Sequence, residues 1–318
     1  MKKHVALLGP MILGISLSAI SVAEPETSPP PLVIIVMENK AASEIVGNPS
    51  APFMNDFIAM GVRFTHYQEG EARGPSLADY LQLAAGSSCG RYSDKALPGD
   101  SEITSQCPTT LWNQLESRGR SWGVYMEGMP SACSPAVTHD DDASGGQYAL
   151  KHNPATPFKS VYDDPALCLA HVLPYSSFDP AKLPDVSFVS PNGCNDMHGS
   201  KSKKWTKCRS HTSALFERGD QWLAERVPGM LAHGAQVFIT FDEDGTLYAV
   251  AAGPGLAAGT SDDTPYTHYS FLAAVEDRFG LPRLGAANAA QPLPLNSFRP
   301  SLPVATQAAP KAVSRALR

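Results

Sequence analysis

Two hexapeptides, LVIIVM at residues 32–37 and QVFITF at 236–241, constrain this chain more than any other feature. Apolar runs without alternation are the mark of strands buried on both faces, the habit of a parallel sheet covered by helices. Each run passes directly into polar residues: Glu38-Asn39 after the first, Asp242-Glu243-Asp244-Gly245 after the second. An acidic surface turn accounts for such an ending; so does a cation site.

The rest of the chain supplies the other layer. Helices are expected over APFMNDFIAM, ended by Gly61, from near Ser76 onward, over TLWNQLESRG, over GDQWLAERVPGML, and over HYSFLAAVEDRF, stopped by Gly280 and Pro282. Further strands are expected at WGVYM and DVSFVS. This alternation predicts an α/β fold with a central, mainly parallel sheet and helices on both faces. Ligands of such sheets bind outside the carboxyl ends of the strands. DVSFVS runs into PNGCNDMH, so three strands deliver polar, acid-rich segments to one edge.

Residues 1–23 read as an export signal: Lys2 and Lys3, an apolar run, and a small-residue cleavage site at Ser21-Val22-Ala23. Gly9, Pro10 and Gly14 interrupt the run and argue against a retained anchor, so no transmembrane anchor is expected after removal. Residues 24–285 are expected to form one domain, and 286–318, rich in Ala and Pro, a loosely ordered tail. Without the signal, 23 basic residues face 31 acidic ones, a net charge of −8 that argues against nucleic acid as a partner. The six cysteines are an even set in an exported chain, which predicts disulfides, with sequential pairing 89–107, 133–168 and 194–208 as the expectation. Nothing in the sequence specifies an oligomeric state.

Glu38, Asn39, Asp242 and Glu243 offer hard oxygen donors suited to a divalent cation such as Mg²⁺, Ca²⁺ or Mn²⁺. Ser76 follows Pro75 at the start of a helical pattern. With Asp79 it forms an S-x-x-D capping box, and it also stands where a phosphate binds helix N–H groups and a metal-activated hydroxyl attacks it. Both readings remain open on the residues alone.

The segments VIIVMENKAASEIVGNPSAPFMN, PSLADYLQL, YALKHNP, VSFVSPNGCNDMH with GDQWL, ITFDEDG and THYSFLAAVEDRFGLPRLG occur in this order over most of residues 32–285. Together they resemble the secreted phosphoesterases that join bacterial acid phosphatases with non-specific phospholipases C, within the alkaline-phosphatase-like superfamily. The likeness is greatest to the short acid-phosphatase members. The resemblance implies a phosphate-monoester hydrolase with a phosphoserine intermediate on Ser76. It implies a divalent metal (Mg, Ca, Mn or Zn) on Glu38, Asn39, Ser76, Asp242 and Glu243, with Asp244 beginning the turn. Lys151, His152, Asn153, Asp79 and Asp196 fall where the family binds phosphate, and His268 and His198 where it protonates the leaving group. The implied partners are phosphorylated small molecules or phospholipid headgroups, outside the cytoplasm, in the periplasm or secreted.

The family pattern His-Pro-Ser-x-Pro-Asn-Tyr-Leu is broken here, with Gly74 for the His and Asp79 for the Asn. An ionised Asp79 would repel phosphate; a protonated one, a second metal, or a capping role would avoid this. Two alternatives follow: a phospholipase C-type diesterase on the same core, and a turnover-deficient metal- or phospholipid-binding protein. The stretch THDDDASGG (138–146) is either a Ca²⁺ loop or a solvated acidic one. The basic run at 199–209 is either a surface loop or a recruiter of anionic headgroups.

Overall fold

The computed structural model describes residues 28–71, 74–141, 146–199, 208 and 212–296. The expected export signal, most of the basic run, the middle of THDDDASGG and residues 297–318 lie outside the described residues. The strands are β1 (Leu32–Met37), β2 (Gly61–Gln68), β3 (Trp122–Met126), β4 (Thr138–Asp141), β5 (Gly146–Ala149), β6 (Val172–Pro174), β7 (Val186–Ser190), β8 (Gln236–Phe241), β9 (Ala249–Ala252) and β10 (Thr260–Thr267). The helices are α1 (Ala42–Ile45), α2 (Pro52–Met60), α3 (Ser76–Ala85), α4 (Ser101–Gln106), α5 (Leu111–Ser117), α6 (Lys159–Tyr162), α7 (Pro165–His171), α8 (Ser213–Ala232) and α9 (His268–Phe279).

Eight strands form one sheet in the order β10-β2-β9-β8-β1-β7-β3-β6. Only β9 runs against its neighbours; all other adjacent pairs are parallel. Every residue of β1, β3, β7 and β8 is buried. Side chains alternate between faces along a strand, so full burial means both faces of the sheet centre are covered. The register sets Leu32 beside Val186 and Gln236, and Met37 beside Phe241. The carboxyl ends of β1, β7 and β8 therefore reach the same edge.

β2, β9 and β10 were not readable as strands. β9 is AVAA, with little β-branching, and β10 carries Thr260, Asp262, Asp263 and Pro265. β10 lies at the border of the sheet, where a proline removes no needed ladder bond. THDD forms β4 and pairs antiparallel with β5, so this part of the acidic stretch is hairpin rather than loop. The pairings Cys89–Cys107, Cys133–Cys168 and Cys194–Cys208 are present as expected.

The expected loose tail is corrected over its first part. Ala287, Leu293 and Leu295 are buried, Leu293 N–H donates to the Ser270 carbonyl, and Asn296 Nδ2 donates to the Ala274 carbonyl. Single apolar residues spaced among prolines carry no helical period, yet they cover α9. Among the described residues no helix is long and apolar enough to cross a membrane.

Candidate active site

The end of β1 sets the geometry. Glu38 is fully buried, and its N–H donates to the Asp196 carbonyl (2.8 Å), tying β1 to the segment after β7. Asn39 adopts φ 53°, a left-handed conformation that asparagine tolerates better than most residues. That turn lets its N–H donate to Asp242 Oδ1 and its Nδ2 donate to Glu243 Oε1, each at 2.8 Å. Both acidic partners leave the end of β8, the immediate neighbour of β1.

Ser76 is the first residue of α3, and the cap position is the extended Pro75. The capping-box reading is therefore wrong: Asp79 accepts from Gln82 Nε2 (2.9 Å) instead of closing the helix start. Proline fixes the extended entry, which turns the Ser76 hydroxyl toward the strand ends. Ser76 Oγ lies 3.2 Å from Glu38 Oε2 and 3.1 Å from Glu243 Oε1, and it accepts from Lys151 Nζ at 3.2 Å. Lys151 also donates to Asp94 Oδ2 (3.0 Å), and Asp94 Oδ1 accepts from Leu77 N–H (3.3 Å). Burial pulls the Lys151 pKa down, but Glu38 and Asp94 outweigh it and the ammonium is held above its usual range.

His152 is buried, with Nε2 3.2 Å from Glu38 Oε2 and Nδ1 3.7 Å from Asp196 Oδ2, and its ring stacks on Tyr80 at 5.3 Å. Burial, then the Lys151 charge, pushes its pKa well down, so the imidazole is neutral. Asp196 Oδ1 accepts from His198 N–H (2.7 Å), which shapes the turn and places the His198 ring 6.2 Å from that of His152.

Two expected site residues have partners of their own. Asn153 Oδ1 accepts from the Ala155 and Thr156 N–H groups (2.9 and 3.0 Å), which holds a turn and leaves its buried Nδ2 without a hydrogen-bond partner. His268 is fully buried behind Asp242: Nδ1 lies 3.0 Å from the Tyr67 hydroxyl and Nε2 2.6 Å from the Asp242 carbonyl. Burial lowers its pKa to about 4. With both nitrogens committed to the interior it braces the end of β8, and it is not placed to protonate a leaving group.

Lys40 and Asp94 also contact the candidate site, and the sequence reading missed both. Lys40 is buried, donates to the Asn39 carbonyl (2.8 Å), and its charge partly offsets the rise of the Asp196 pKa. The motif Glu-Asn-Lys carried this signal by adjacency. Asp94, in a loop rich in Ser and Gly, carried none.

The site holds more negative charge than it balances. Glu38 Oε1, Asp79 Oδ2, Asp196 Oδ2 and Asp242 Oδ2 are buried with no hydrogen-bond partner. Burial, then neighbouring carboxylates, pushes Asp79 up to about 10, Asp242 to about 8 and Glu243 to about 7. Among the described residues no three acidic, His or Cys groups are arranged so as to hold a metal ion among themselves. The donor chemistry nonetheless fits a hard divalent cation, because buried anionic oxygens without donors require either protons or a metal.

The model of the Phosphoesterase family matches residues 67–282, more than half of the chain. A phosphatidylinositol-3-phosphatase from Mycobacterium tuberculosis is 29% identical over 82% of this chain and 81% of that protein. A probable acid phosphatase from Kluyveromyces lactis is 28% identical over 79% of this chain, which spans only 58% of that protein's length. Among solved structures, a Vibrio parahaemolyticus protein in the alkaline phosphatase superfamily superposes with a TM-score of 0.52 at 10% identity, over 82% of this chain and 70% of that one. The fold is thus alkaline-phosphatase-like, and the chain belongs to the Phosphoesterase family, as a hydrolase of phosphoric ester bonds.

Proposed function

We propose that this protein is an exported phosphatase that hydrolyses phosphate monoesters through a phosphoserine at Ser76. The observation that carries the reading is the position of Ser76 Oγ, at the first turn of a buried helix and within 3.1–3.2 Å of two carboxylates and an ammonium group. The names of its relatives, an acid phosphatase and a phosphatidylinositol-3-phosphatase, support the monoester over the diester reading. Phosphorylated small molecules or phospholipid headgroups are the substrate class. Three disulfides support an oxidising compartment.

Glu38, Asn39, Asp242 and Glu243, with Ser76, would hold the divalent cation. When bound it would act as a Lewis acid, lowering the hydroxyl pKa and offsetting phosphoryl charge. Lys151 donates to Ser76 Oγ and stabilises its alkoxide, and Asp94 keeps that ammonium in place. The Ser76 proton is released to water, and the Oγ–P bond forms as the bond from phosphorus to the leaving oxygen breaks, with the two oxygens in line. His198, half-buried at the end of the β7 loop, is the group we assign to giving the leaving oxygen its proton. Water then attacks phosphorus, releases inorganic phosphate and restores the Ser76 hydroxyl. Neutral His152, packed against Glu38 and Asp196, keeps these carboxylates apart from solvent.

Hydrolysis of p-nitrophenyl phosphate by the purified chain, after chelation and with Mg²⁺, Ca²⁺, Mn²⁺ or Zn²⁺ restored, tests the reading. Turnover that returns with metal and is absent in Ser76→Ala is expected. Substantial activity in Ser76→Ala would remove Ser76 from the nucleophile role.

A further inference from the structure

The loop after β7 carries both Asp196 and His198, yet its own backbone does not favour the shape it takes. Met197, between them, adopts φ 72°, a left-handed conformation that is costly for a residue other than glycine and persists where the surroundings impose it.

β3 supplies much of that restraint. It ends with Met126 beside Ser190 of β7, and Glu127 N–H donates to the Ser190 carbonyl (2.9 Å), so the Glu127 side chain leaves the sheet next to the loop. Its buried carboxylate takes three donors: Oε2 accepts from Asn192 N–H (3.0 Å) and Asn195 Nδ2 (2.8 Å), and Oε1 from Trp222 Nε1 (2.9 Å) on α8. Asn192 Oδ1 accepts in turn from the Cys194 and Asn195 N–H groups (3.0 and 3.2 Å), and Asn195 Oδ1 accepts from Arg218 Nε (2.7 Å). α8 closes on the same turn at Gly219, where a Cβ would meet Met197 Cγ at 2.6 Å and the Asn195 carbonyl oxygen at 2.9 Å.

This junction suits a carboxylate. Such a group only accepts, and it satisfies donors at both oxygens, whereas an amide turns a donor toward one of them. Its charge also strengthens each bond. On the other side of the loop, Glu38 N–H donates to the Asp196 carbonyl (2.8 Å), and Asp196 Oδ1 accepts from His198 N–H (2.7 Å). The turn is thus gripped twice, by Glu127 at Asn192 and Asn195 and by the end of β1 at Asp196. We propose that Glu127 is a positioning residue for the hydrolysis, acting through Asn195 to keep the His198 ring where it protonates the leaving oxygen, a role that rests on His198 being that acid. Without the Glu127 grip, Met197 relaxes toward an ordinary conformation and carries His198 away.

The test varies the leaving group, since p-nitrophenolate departs without a proton and an alkoxide does not. kcat/KM, which covers the step that expels the leaving oxygen, is measured on p-nitrophenyl phosphate and on glycerol phosphate. Wild type, Glu127→Gln, Asn195→Ala, the double variant, Trp222→Phe and His198→Asn are compared. Glu127→Gln and Asn195→Ala should each lose about tenfold more on the alkyl ester than on the aryl ester, and His198→Asn about 100-fold more. The double variant should lose no more than the worse single one, because both changes cut one path. Trp222→Phe removes the donor on the side away from the loop; it should lower Tm and leave the ratio of the two esters unchanged. Should Glu127→Gln not fold, Asn195→Ala against His198→Asn carries the comparison. Equal losses on both esters in Glu127→Gln and Asn195→Ala, beside a fallen ratio in His198→Asn, overturn the positioning role alone. So do losses that multiply in the double variant, or a Trp222→Phe ratio that falls as far as that of Glu127→Gln. An unchanged ratio in His198→Asn overturns the acid assignment and the Glu127 role with it. A wild type inactive on both esters overturns the phosphatase reading itself and everything built on it.

Discussion

Chelation should make this protein least stable where most proteins are comfortable. In the metal-free state Asp242 is fully buried, and burial followed by repulsion from Glu38 raises its pKa from 3.8 to about 8. The folded chain then binds a proton that the unfolded chain releases. Stability is fully present below the unfolded pKa and is lost as pH rises from about 4 to about 8. At 1.36 kcal/mol per pH unit, that interval is worth roughly 5–6 kcal/mol. Water entering the cleft relaxes part of the penalty, and we take half, about 3 kcal/mol. Between pH 5 and pH 8, three of those four units, the loss is about 2 kcal/mol; at about 2–4 °C per kilocalorie in a domain of this size the chelated protein should lose roughly 4–8 °C. Glu243, raised to about 7 by burial and Asp242, acts in the same direction. Thermal melts in a chelator and with a divalent cation, read by near-UV circular dichroism, measure the effect. The metal-loaded protein should show a flat profile, and Asp242→Asn should flatten the chelated one. A chelated Tm that stays level or climbs from pH 5 to pH 8 would refute the claim that these carboxylates are uncompensated without metal.

Other outcomes follow from single contacts. Lys151→Met should lower kcat about 100-fold, the scale of losing one donor to developing charge; Asp94→Asn should cost less and leave KM nearly unchanged, both read on p-nitrophenyl phosphate. His268→Asn should destabilise by about 2 kcal/mol, because the Asp242 carbonyl and Tyr67 hydroxyl lose a buried partner. Its kcat–pH profile should keep its shape; selective loss of the alkaline limb would return His268 to the acid role. Glu276, buried on α9 with Oε2 unpartnered, has its pKa raised by burial to about 8. Its contribution is lost as pH rises from about 4.5 to about 8, so Glu276→Gln should raise Tm at pH 9 and leave it unchanged at pH 4.

The sheet centre was legible because β1 and β8 are buried on both faces, and such strands need apolar residues at every position. The border was not: β10 meets solvent with Asp262 and Asp263, and its pairing to β2 is fixed by tertiary contact rather than by composition. The same division holds at the site. Glu38, Asn39, Asp242 and Glu243 were readable because each sits immediately after a readable strand. Ser76 was readable as a helix start, with its hydroxyl left open between capping that helix and facing the carboxylates; Pro75 in the cap position decides against the first. His268 was misread for the opposite reason. A histidine opening a helix near an acidic turn has the same letters whether its ring faces substrate or packs behind the turn. Only the Tyr67 hydroxyl on one nitrogen and the Asp242 carbonyl on the other decide between these. Residues adjacent in sequence to the end of a readable strand can therefore be placed at the sheet edge from the chain alone. One that reaches the site across the fold, Asp94 through Lys151, becomes visible only when the sheet edge has brought the two together.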